Sequence, residues 1–247
     1  MSDSKRPGQA KGGFDVRDFW EGKILEWERG RYSATGGSGG PLERLADRAS
    51  DSLRFRMESS AELLAPFVKG KRVIDLGCGT GLLAPKLLAA GATHYTGYDI
   101  AESAIELANA RAKSEGWADR ARFERASLAD LGRLDGEVVI SLGLTDWLAD
   151  AELERLFELG GDAEFLHATS EARPSLQRWL HQAYCYVAYG YRTQGYVPRY
   201  LETPAIAAMA RRHREGPVYV WRHRRLSFGA YITSLPVKGA ALVPERT

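Results

Sequence analysis

Short apolar runs alternate with longer amphipathic stretches through the middle of the chain. Five of these runs have the length and composition of buried parallel strands, at residues 72–76, 95–100, 121–126, 137–143 and 163–169. Between them, residues 101–113 and 151–160 predict helices. Strands and helices therefore alternate as in βαβ units, which predicts an α/β fold built on a mostly parallel sheet.

The two ends of the chain follow other patterns. Residues 14–28 and 53–68 each predict an amphipathic helix, and the glycine-rich stretch 36–41 between them predicts a mobile loop. After the fifth strand, residues 173–214 predict one long helical insertion or lid, in which six of the eleven tyrosines lie between Tyr184 and Tyr200. Residues 218–221 and 230–233 predict an antiparallel hairpin. The predicted organisation is a disordered tail (1–13), a helical cap (14–70), a sheet domain (71–236) and a second tail (237–247).

Three glycines on alternate positions follow the first strand. Gly77, Gly79 and Gly81 come directly after Asp75 and Leu76, and glycine lets the backbone turn sharply and approach a ligand closely. A dinucleotide site requires the spacing G-x-G-x-x-G, which this turn does not have. A ligand without a phosphate requires instead an acceptor for an ammonium group, and Asp75 is suitably placed for that role.

A second acidic residue closes the second strand. Asp99 lies eighteen residues beyond Gly81, and a carboxylate at the tip of that strand can accept hydrogen bonds from both ribose hydroxyls. The run from Val73 to Gly81, followed by Asp99, resembles the first motifs of the class I S-adenosylmethionine-dependent methyltransferases. The resemblance implies S-adenosylmethionine as cofactor. It also implies a Rossmann-like three-layer sandwich, with a seven-stranded, mostly parallel sheet, a C-terminal antiparallel hairpin and an N-terminal helical cap.

The resemblance also implies which residues bind the cofactor. In this family an Asp that contacts the adenine often stands at the position of Ser127, so backbone groups around Leu128 are an alternative contact here. Arg56 is a candidate partner for the cofactor carboxylate, or else a solvated charge on its helix. The full predicted set is Asp75, Gly77, Cys78, Gly79, Gly81, Asp99, Ile100, Ser127, Leu128, Leu144 and Arg56.

Three residues are candidates for the acceptor end of the site. Asp146 follows the fourth strand and is interpreted as a base, a substrate anchor or the cap of the next helix. His167 ends the fifth predicted strand and is either a titrating group or a hydrogen-bonded structural histidine. The chain resembles the magnesium-protoporphyrin methyltransferases in the layout of residues 27–33, the helix through Arg56 and the turn at Asp146. In that group, the residues that match Tyr32 and Asp146 are candidates for the acceptor site. That group has a histidine where this chain has Asp146.

Composition limits the cellular context only broadly. The 247 residues carry a formal net charge of +2, which does not require a nucleic-acid partner. The first thirteen residues contain no apolar stretch, so neither a signal peptide nor a membrane anchor is predicted. Two cysteines provide neither a disulfide framework nor metal-ligand spacing, which favours a cytoplasmic protein.

The sequence therefore predicts an enzyme that methylates an oxygen or nitrogen nucleophile of a small molecule or a sugar-containing metabolite. Two alternatives remain open. One is an RNA or protein methyltransferase that uses the basic runs 211–214 and 222–225, which are otherwise a solvated face. The other is a non-catalytic subunit that binds the cofactor and serves a partner. Residues 141–144 contain no Asn-Pro-Pro-Tyr signature, which argues against methylation of base amino groups.

Overall fold

The computed structural model describes residues 14–27, 41–174, 176–190, 193–226 and 228–245. An eight-stranded sheet runs through its centre in the order β3-β2-β1-β4-β5-β7-β6-β8. The strands are β1 (Arg72–Leu76), β2 (His94–Asp99), β3 (Ala121–Arg125), β4 (Val138–Leu142), β5 (Glu164–Ser170), β6 (Tyr219–Trp221), β7 (Gly229–Thr233) and β8 (Ala241–Leu242). The first five strands are parallel, and β6 to β8 join them as antiparallel strands.

Helices cover both faces of the sheet. They are α1 (Val16–Trp27), α2 (Pro41–Val68), α3 (Ala84–Ala89), α4 (Glu102–Ser114), α5 (Asp150–Gly160), α6 (Leu176–Cys185) and α7 (Thr203–His213). Because side chains alternate along a strand, Val73 joins the core beneath α2, α3 and α4, whereas Ile74 joins the core beneath α5 and α7. The predicted three-layer α/β sandwich is therefore confirmed. In the described part of the chain, no helix is both long enough and apolar enough to cross a membrane.

The sheet has one strand more than the seven predicted. Residues 241–242, in the predicted C-terminal tail, form β8 and pair with the outer edge of β6, where Tyr219 faces Leu242. Val243 is buried directly after this strand, and its amide donates to the Val218 carbonyl at 2.8 Å. An unpaired strand edge and one buried valine are enough to hold this segment.

The predicted long helix after β5 is divided into parts. Helix α6 continues into a π-helical turn at Tyr186–Gly190, an extended segment follows at residues 196–200, and α7 begins at Thr203. Gln194 and Gly195 adopt positive φ angles of 51° and 88°, and Pro198 cannot donate a helical hydrogen bond. These residues end the helical path and bring the extended segment back to the sheet. The predicted tail 1–13 and the loop residues 36–40 lie outside the described residues.

Candidate active site

The glycine-rich turn wraps around the end of the sheet. The amides of Gly77 and Cys78 both donate to the Tyr98 carbonyl of the neighbouring β2, at 2.8 and 3.1 Å. Gly77, Gly79 and Gly81 have φ angles of 73°, 53° and 74°, a region that residues with a side chain rarely adopt. A Cβ atom on Gly81 would also lie 2.8 Å from the ring of Phe123. The turn therefore requires glycine for its conformation and, at Gly81, for space.

Asp75 lies at the base of this turn with one carboxylate oxygen unsatisfied. The residue is only 3% exposed, and the Tyr95 hydroxyl donates to Oδ2. Oδ1 is buried and has no hydrogen-bond partner among the residues that the structure describes. Burial raises the pKa of Asp75 to about 7, with the Tyr95 hydrogen bond opposing this rise. A buried acceptor without a donor is energetically costly, so this oxygen indicates a binding position for a ligand donor.

Asp99 lies at the adjacent strand end. Its Oδ2 accepts from the Gly79 amide at 2.9 Å and its Oδ1 from the Ala101 amide at 3.0 Å. Burial raises the pKa of Asp99, and these backbone hydrogen bonds oppose the rise. Each carboxylate oxygen has a second lone pair, so both can still accept from a diol. The fold thus brings the two predicted acids to the same edge of the sheet, on neighbouring strands.

Of the other predicted cofactor contacts, Leu144 packs on the turn, whereas the Ser127 hydroxyl is engaged within its own loop. The Leu144 Cβ lies 3.1 Å from the position that a Cβ on Gly77 would take, so Leu144 packs directly on the turn. Ile100 and Leu128 are partly buried, and the Cys78 thiol is held protonated because burial raises its pKa well above the usual range. The Ser127 hydroxyl instead donates to Asp130 at 2.6 Å. The hydroxyl is therefore turned toward Asp130 of its own loop, and an adenine amino group could only use the lone pairs that remain on its oxygen.

Arg56 extends from α2 to the end of β4. Its Nη1 lies 3.2 Å from the position that a Cβ on Gly143 would take, and Nη2 lies 3.5 Å from the corresponding position at Gly229. Its charge lowers the pKa of the buried Asp146, opposing the dominant effect of burial. The partly buried guanidinium lies against the strand ends, which favours a contact with the cofactor carboxylate over a solvated helix charge.

Asp146 links the ends of β4 and β5. It is 5% exposed in a 3₁₀ turn, where Oδ1 accepts from the Ser170 amide at 2.6 Å and Oδ2 from the Ser170 hydroxyl at 2.8 Å. The residue before α5 is Ala149, whose amide donates to the Glu152 carboxylate at 2.8 Å. Asp146 is therefore not the cap of α5, and its hydrogen bonds hold two strand ends together.

The structure does not bring His167 to this site. Its Nδ1 is 2.9 Å from the Ser141 hydroxyl, its ring stacks on Phe165 at 5.2 Å, and burial lowers its pKa to about 3. The prediction of a catalytic His167 is wrong because this side chain lies within β5, three residues before its end at Ser170, and faces the core beneath α5. The structural interpretation is the correct one. Tyr32, the other predicted catalytic residue, lies outside the described residues.

Helix α1 covers the turn through residues that the sequence did not single out. The Glu21 carboxylate accepts from the amides of Glu102 and Ser103 at 2.7 and 2.8 Å, which fixes α1 to the first turn of α4. The Ile24 Cδ1 lies 3.3 Å from the position that a Cβ on Gly79 would take. Amides in the first turn of a helix have no partner within the helix, which explains the preference for a carboxylate there. One acid on an amphipathic helix provides no sequence signal for this contact.

An aromatic cluster lies beside α1, above the end of β4. Trp20 and Trp147 are 4.9 Å apart, Trp147 and Tyr196 are 5.0 Å apart, and the Trp20 indole donates to the Tyr196 hydroxyl at 3.1 Å. Phe14 and Phe19 complete the group, at 5.2 and 5.7 Å from Tyr196. The crowding of tyrosines predicted a lid in this region. The partners from α1 could not be inferred, because Trp20 and Tyr196 are separated by 176 residues.

The basic runs are largely neutralised within the fold. Arg212 and His213 both contact Glu154, and Arg222 contacts Glu171. Arg225 pairs with Asp51 at 2.9 Å, and the Arg211 guanidinium donates to the carbonyls of residues 243 and 244. These partners leave little of the positive charge for nucleic acid, which weakens the alternative of an RNA methyltransferase.

Comparisons with known proteins agree with this geometry. Residues 73–159 match the family described as "Methyltransferase domain". The chain is 36% identical over 112 residues to a ubiquinone biosynthesis O-methyltransferase of Rhizobium leguminosarum, covering 45% of this chain and 42% of the relative. It is 42% identical over 72 residues to a ribosomal protein L11 methyltransferase of Ectopseudomonas mendocina, covering 29% and 24%. The chain thus spans less than half the length of these curated relatives.

A solved structure extends the likeness to nearly the whole fold. Magnesium protoporphyrin IX methyltransferase from Synechocystis, determined with SAH bound, superimposes with a TM-score of 0.66 at 19% identity and covers 88% of this chain and 96% of that chain. A geranyl diphosphate methyltransferase superimposes with a TM-score of 0.61 at 14% identity, covering 89% and 96%. At these identities the likeness concerns the fold alone.

Proposed function

We propose that this chain, which contains a class I S-adenosylmethionine-dependent methyltransferase domain, transfers a methyl group from S-adenosylmethionine to an oxygen or nitrogen atom of a small molecule. The observation that supports this proposal best is the buried Oδ1 of Asp75 at the base of the glycine turn, which has no hydrogen-bond partner in the described part of the chain. An ammonium group, such as the one the cofactor carries, would satisfy that oxygen. A pyrophosphate would place negative charge against it.

The residues present fit S-adenosylmethionine. Asp75 would accept from its ammonium group, and the remaining lone pairs of Asp99 would accept from its ribose hydroxyls. Arg56 would pair with its carboxylate, while Leu144 beside the turn would provide an apolar contact. When bound, the cofactor supplies a methyl group on a positively charged sulfur, which leaves as a neutral thioether.

The protein contributes mainly alignment and exclusion of water. Holding two reactants in line can supply on the order of 7 to 11 kcal/mol of the barrier. The α1 contacts and the aromatic cluster would shield the reacting atoms, because they close over the strand ends that carry Asp99 and Asp146. A general base is required only where the acceptor is not already ionised.

Calorimetry with S-adenosylmethionine and S-adenosylhomocysteine tests the cofactor, with NAD as the phosphate-bearing comparison. We expect both sulfur ligands to bind and NAD not to bind. Transfer of a labelled methyl group to the small-molecule fraction of a cell extract then tests turnover. Binding of NAD in preference to the sulfur ligands would refute the proposed cofactor, whereas cofactor binding without any label transfer would favour the non-catalytic subunit.

A protein acceptor is the second candidate, because one curated relative is named a ribosomal protein L11 methyltransferase. The same labelling experiment distinguishes the two candidates. Label recovered in the protein fraction would favour a protein acceptor, and label recovered in compounds that pass a small-pore filter would favour a small molecule. A sugar-containing acceptor would be identified within that second fraction.

A further inference from the structure

We propose that Tyr200 and His181 form the acid–base pair of the acceptor site, and that the acceptor is consequently an un-ionised hydroxyl group. This inference rests on the proposed function and narrows it. In it, Tyr200 contacts the acceptor, and His181 acts through Tyr200.

The two residues form a tightly fixed polar contact between α6 and the extended segment before α7. His181 Nδ1 and the Tyr200 hydroxyl oxygen are 2.6 Å apart. The ring of Phe228 packs against both, at 4.8 Å from the imidazole and 5.5 Å from the phenol. The Arg178 guanidinium lies 5.6 Å from the centre of the Tyr200 ring. Both side chains are only partly buried, so the pair is packed from the sides and not sealed.

The proposed pair requires a protonated phenol, which the surroundings of Tyr200 favour. Burial, together with the charges of Cys185 and Asp146, holds the pKa of the Tyr200 hydroxyl well above its usual range. Tyr200 therefore stays protonated, and in the proposed pair its hydroxyl donates to Nδ1, with the imidazole proton on Nε2. The Cys185 sulfur lies 3.5 Å from Nε2 and 3.8 Å from Nδ1, in contact with the imidazole. Histidine and tyrosine thus form a hydrogen-bonded pair whose outer end is the Tyr200 oxygen.

The His181–Tyr200 pair lies beside the residues already placed at the strand ends. The Arg199 amide donates to the Asp146 carbonyl at 2.6 Å, and the Leu201 amide donates to the Ser170 carbonyl at 2.8 Å. Tyr200 is therefore held where β4 and β5 end, the edge at which ligands of such sheets collect. Phe228, which packs on the pair, directly precedes Gly229, near which the Arg56 guanidinium lies. The pair and the proposed cofactor contacts thus lie at one edge of the sheet.

This arrangement permits a proton relay from the acceptor through Tyr200 to His181 during methyl transfer. As the acceptor oxygen bonds to the methyl carbon and the carbon–sulfur bond breaks, the acceptor proton moves to the Tyr200 oxygen. The Tyr200 proton moves to His181 Nδ1, so the phenol stays neutral and the imidazole becomes charged. Asp146 is only 5% exposed and its two oxygens bind Ser170 across the strand ends, so the partly exposed Tyr200 is the better placed of the two to meet an acceptor. A carboxylate or thiolate acceptor would need no such pair, whereas a hydroxyl would.

The first test is a readout that does not depend on turnover. The ¹⁵N shifts of the His181 imidazole are measured in the full chain bound to S-adenosylhomocysteine, for the wild type and for Tyr200→Phe. We expect a single tautomer with its proton on Nε2 in the wild type and a mixture of tautomers in the variant. A wild-type proton on Nδ1 would overturn the inference, because the histidine could not then accept from the tyrosine. Failure of the wild type to bind S-adenosylhomocysteine would refute the proposed function itself.

The second test compares two probes that differ in acidity. Methylation of catechol and of 4-nitrocatechol, whose nitro group acidifies its hydroxyls, is measured for Tyr200→Phe and His181→Gln. We expect a loss of about a hundredfold with catechol and of less than about threefold with 4-nitrocatechol. Equal losses with both probes would indicate a purely structural role and overturn the inference. If the wild type methylates neither probe, the tautomer measurement decides.

Matched controls use the same substitutions away from the site. His94 is exposed on β2, next to the outermost strand β3. Tyr219 lies on β6, next to the outermost strand β8 on the other side of the sheet. His94→Gln and Tyr219→Phe should keep wild-type turnover with both probes. All four variants should bind S-adenosylhomocysteine within about twofold of the wild type, because neither pair residue is among the proposed cofactor contacts.

Discussion

Replacing Asp75 with asparagine should make the protein more stable and less able to bind its cofactor. Burial raises the pKa of Asp75 from 3.8 to about 7. Each pKa unit corresponds to about 1.4 kcal/mol, so ionising this carboxyl in the folded chain costs about 4 kcal/mol. Asparagine keeps an acceptor for the Tyr95 hydroxyl and removes the charge. Its amide hydrogens bring a new burial cost of about 1 to 3 kcal/mol, which leaves a net gain of about 1 to 3 kcal/mol.

The sign of this effect depends on pH in a defined window. The folded-state pKa of Asp75 is higher than its unfolded value, so the folded chain binds more protons between pH 3.8 and about 7. Wild-type stability from this group is complete below that window and is lost as the pH rises through it. The advantage of Asp75→Asn should therefore be present at pH 8 and absent or reversed at pH 5.

Cofactor binding should change in the opposite direction. An ammonium group binds the ionised form of the Asp75 carboxylate. At pH 6, one unit below its pKa of about 7, roughly nine in ten wild-type molecules have this carboxyl group protonated. Wild-type affinity should thus be about tenfold weaker at pH 6 than at pH 8, with proton release on binding. Asp75→Asn should lose about 2 kcal/mol of binding free energy at pH 8, or roughly thirtyfold in affinity.

Urea unfolding at pH 5 and pH 8, together with calorimetry in two buffers of different ionisation enthalpy, measures both effects. Asp119→Asn is the matched control, since Asp119 is exposed on the turn before β3. An Asp75→Asn chain that is destabilised equally at both pH values would refute the argument that the buried charge is a cost. Unchanged affinity for S-adenosylhomocysteine would refute the role of the carboxylate in binding.

Three further substitutions test other parts of the site. Asp99→Ala should weaken S-adenosylhomocysteine binding by about 1 to 3 kcal/mol in calorimetry, the usual loss for hydrogen bonds to a charged group, and unchanged binding would contradict the ribose contact. Glu21→Gln should accelerate dissociation of S-adenosylhomocysteine in stopped-flow fluorescence because α1 loses its charged contact with α4, whereas Glu26→Gln, on the same helix but exposed, should not. Asp146→Asn should lower the unfolding midpoint in thermal denaturation and reduce turnover only modestly, and a loss of turnover beyond a hundredfold would restore Asp146 as a direct base.

The cofactor half of the site could be predicted because its chemistry is local in sequence. Asp75, the glycines and Asp99 lie within one strand–turn–helix–strand unit, and the turn requires glycine whatever the rest of the chain does. The alternation of strands and helices likewise predicted the parallel part of the sheet. β8 was missed because a two-residue strand shows no periodicity and exists only through its pairing with β6.

The acceptor half depends on contacts that no local pattern reveals. His167 was misplaced although the end of its strand was predicted to within one residue, because the sequence did not show that its side chain faces the core and not the site. Tyr200 and His181 were overlooked because each looks like an ordinary packing residue within a tyrosine-rich stretch. Their pairing requires the helix to break between them and the chain to return, and only the positive φ angles at residues 194 and 195 show that it does.

Helix α1 connects the two halves of the site, and its contacts suggest how a closed site can still admit a cofactor. Ile24 covers Gly79 and Glu21 caps α4, so a ligand cannot reach the turn and Asp99 together unless α1 moves. The Glu21 carboxylate is partly exposed and each of its hydrogen bonds competes with water, so this contact contributes only about 2 to 3 kcal/mol to the cost of opening, to which the contacts of Trp20 with Trp147 and Tyr196 add. A cost of at least that size leaves no more than about 3% of the molecules open, which slows association of the cofactor but does not weaken its equilibrium affinity if the same contacts form again over the bound cofactor. Once the cofactor is bound beneath α1, the contacts of Glu21 with α4 and of Trp20 with the aromatic cluster would form again and exclude water from the reacting atoms.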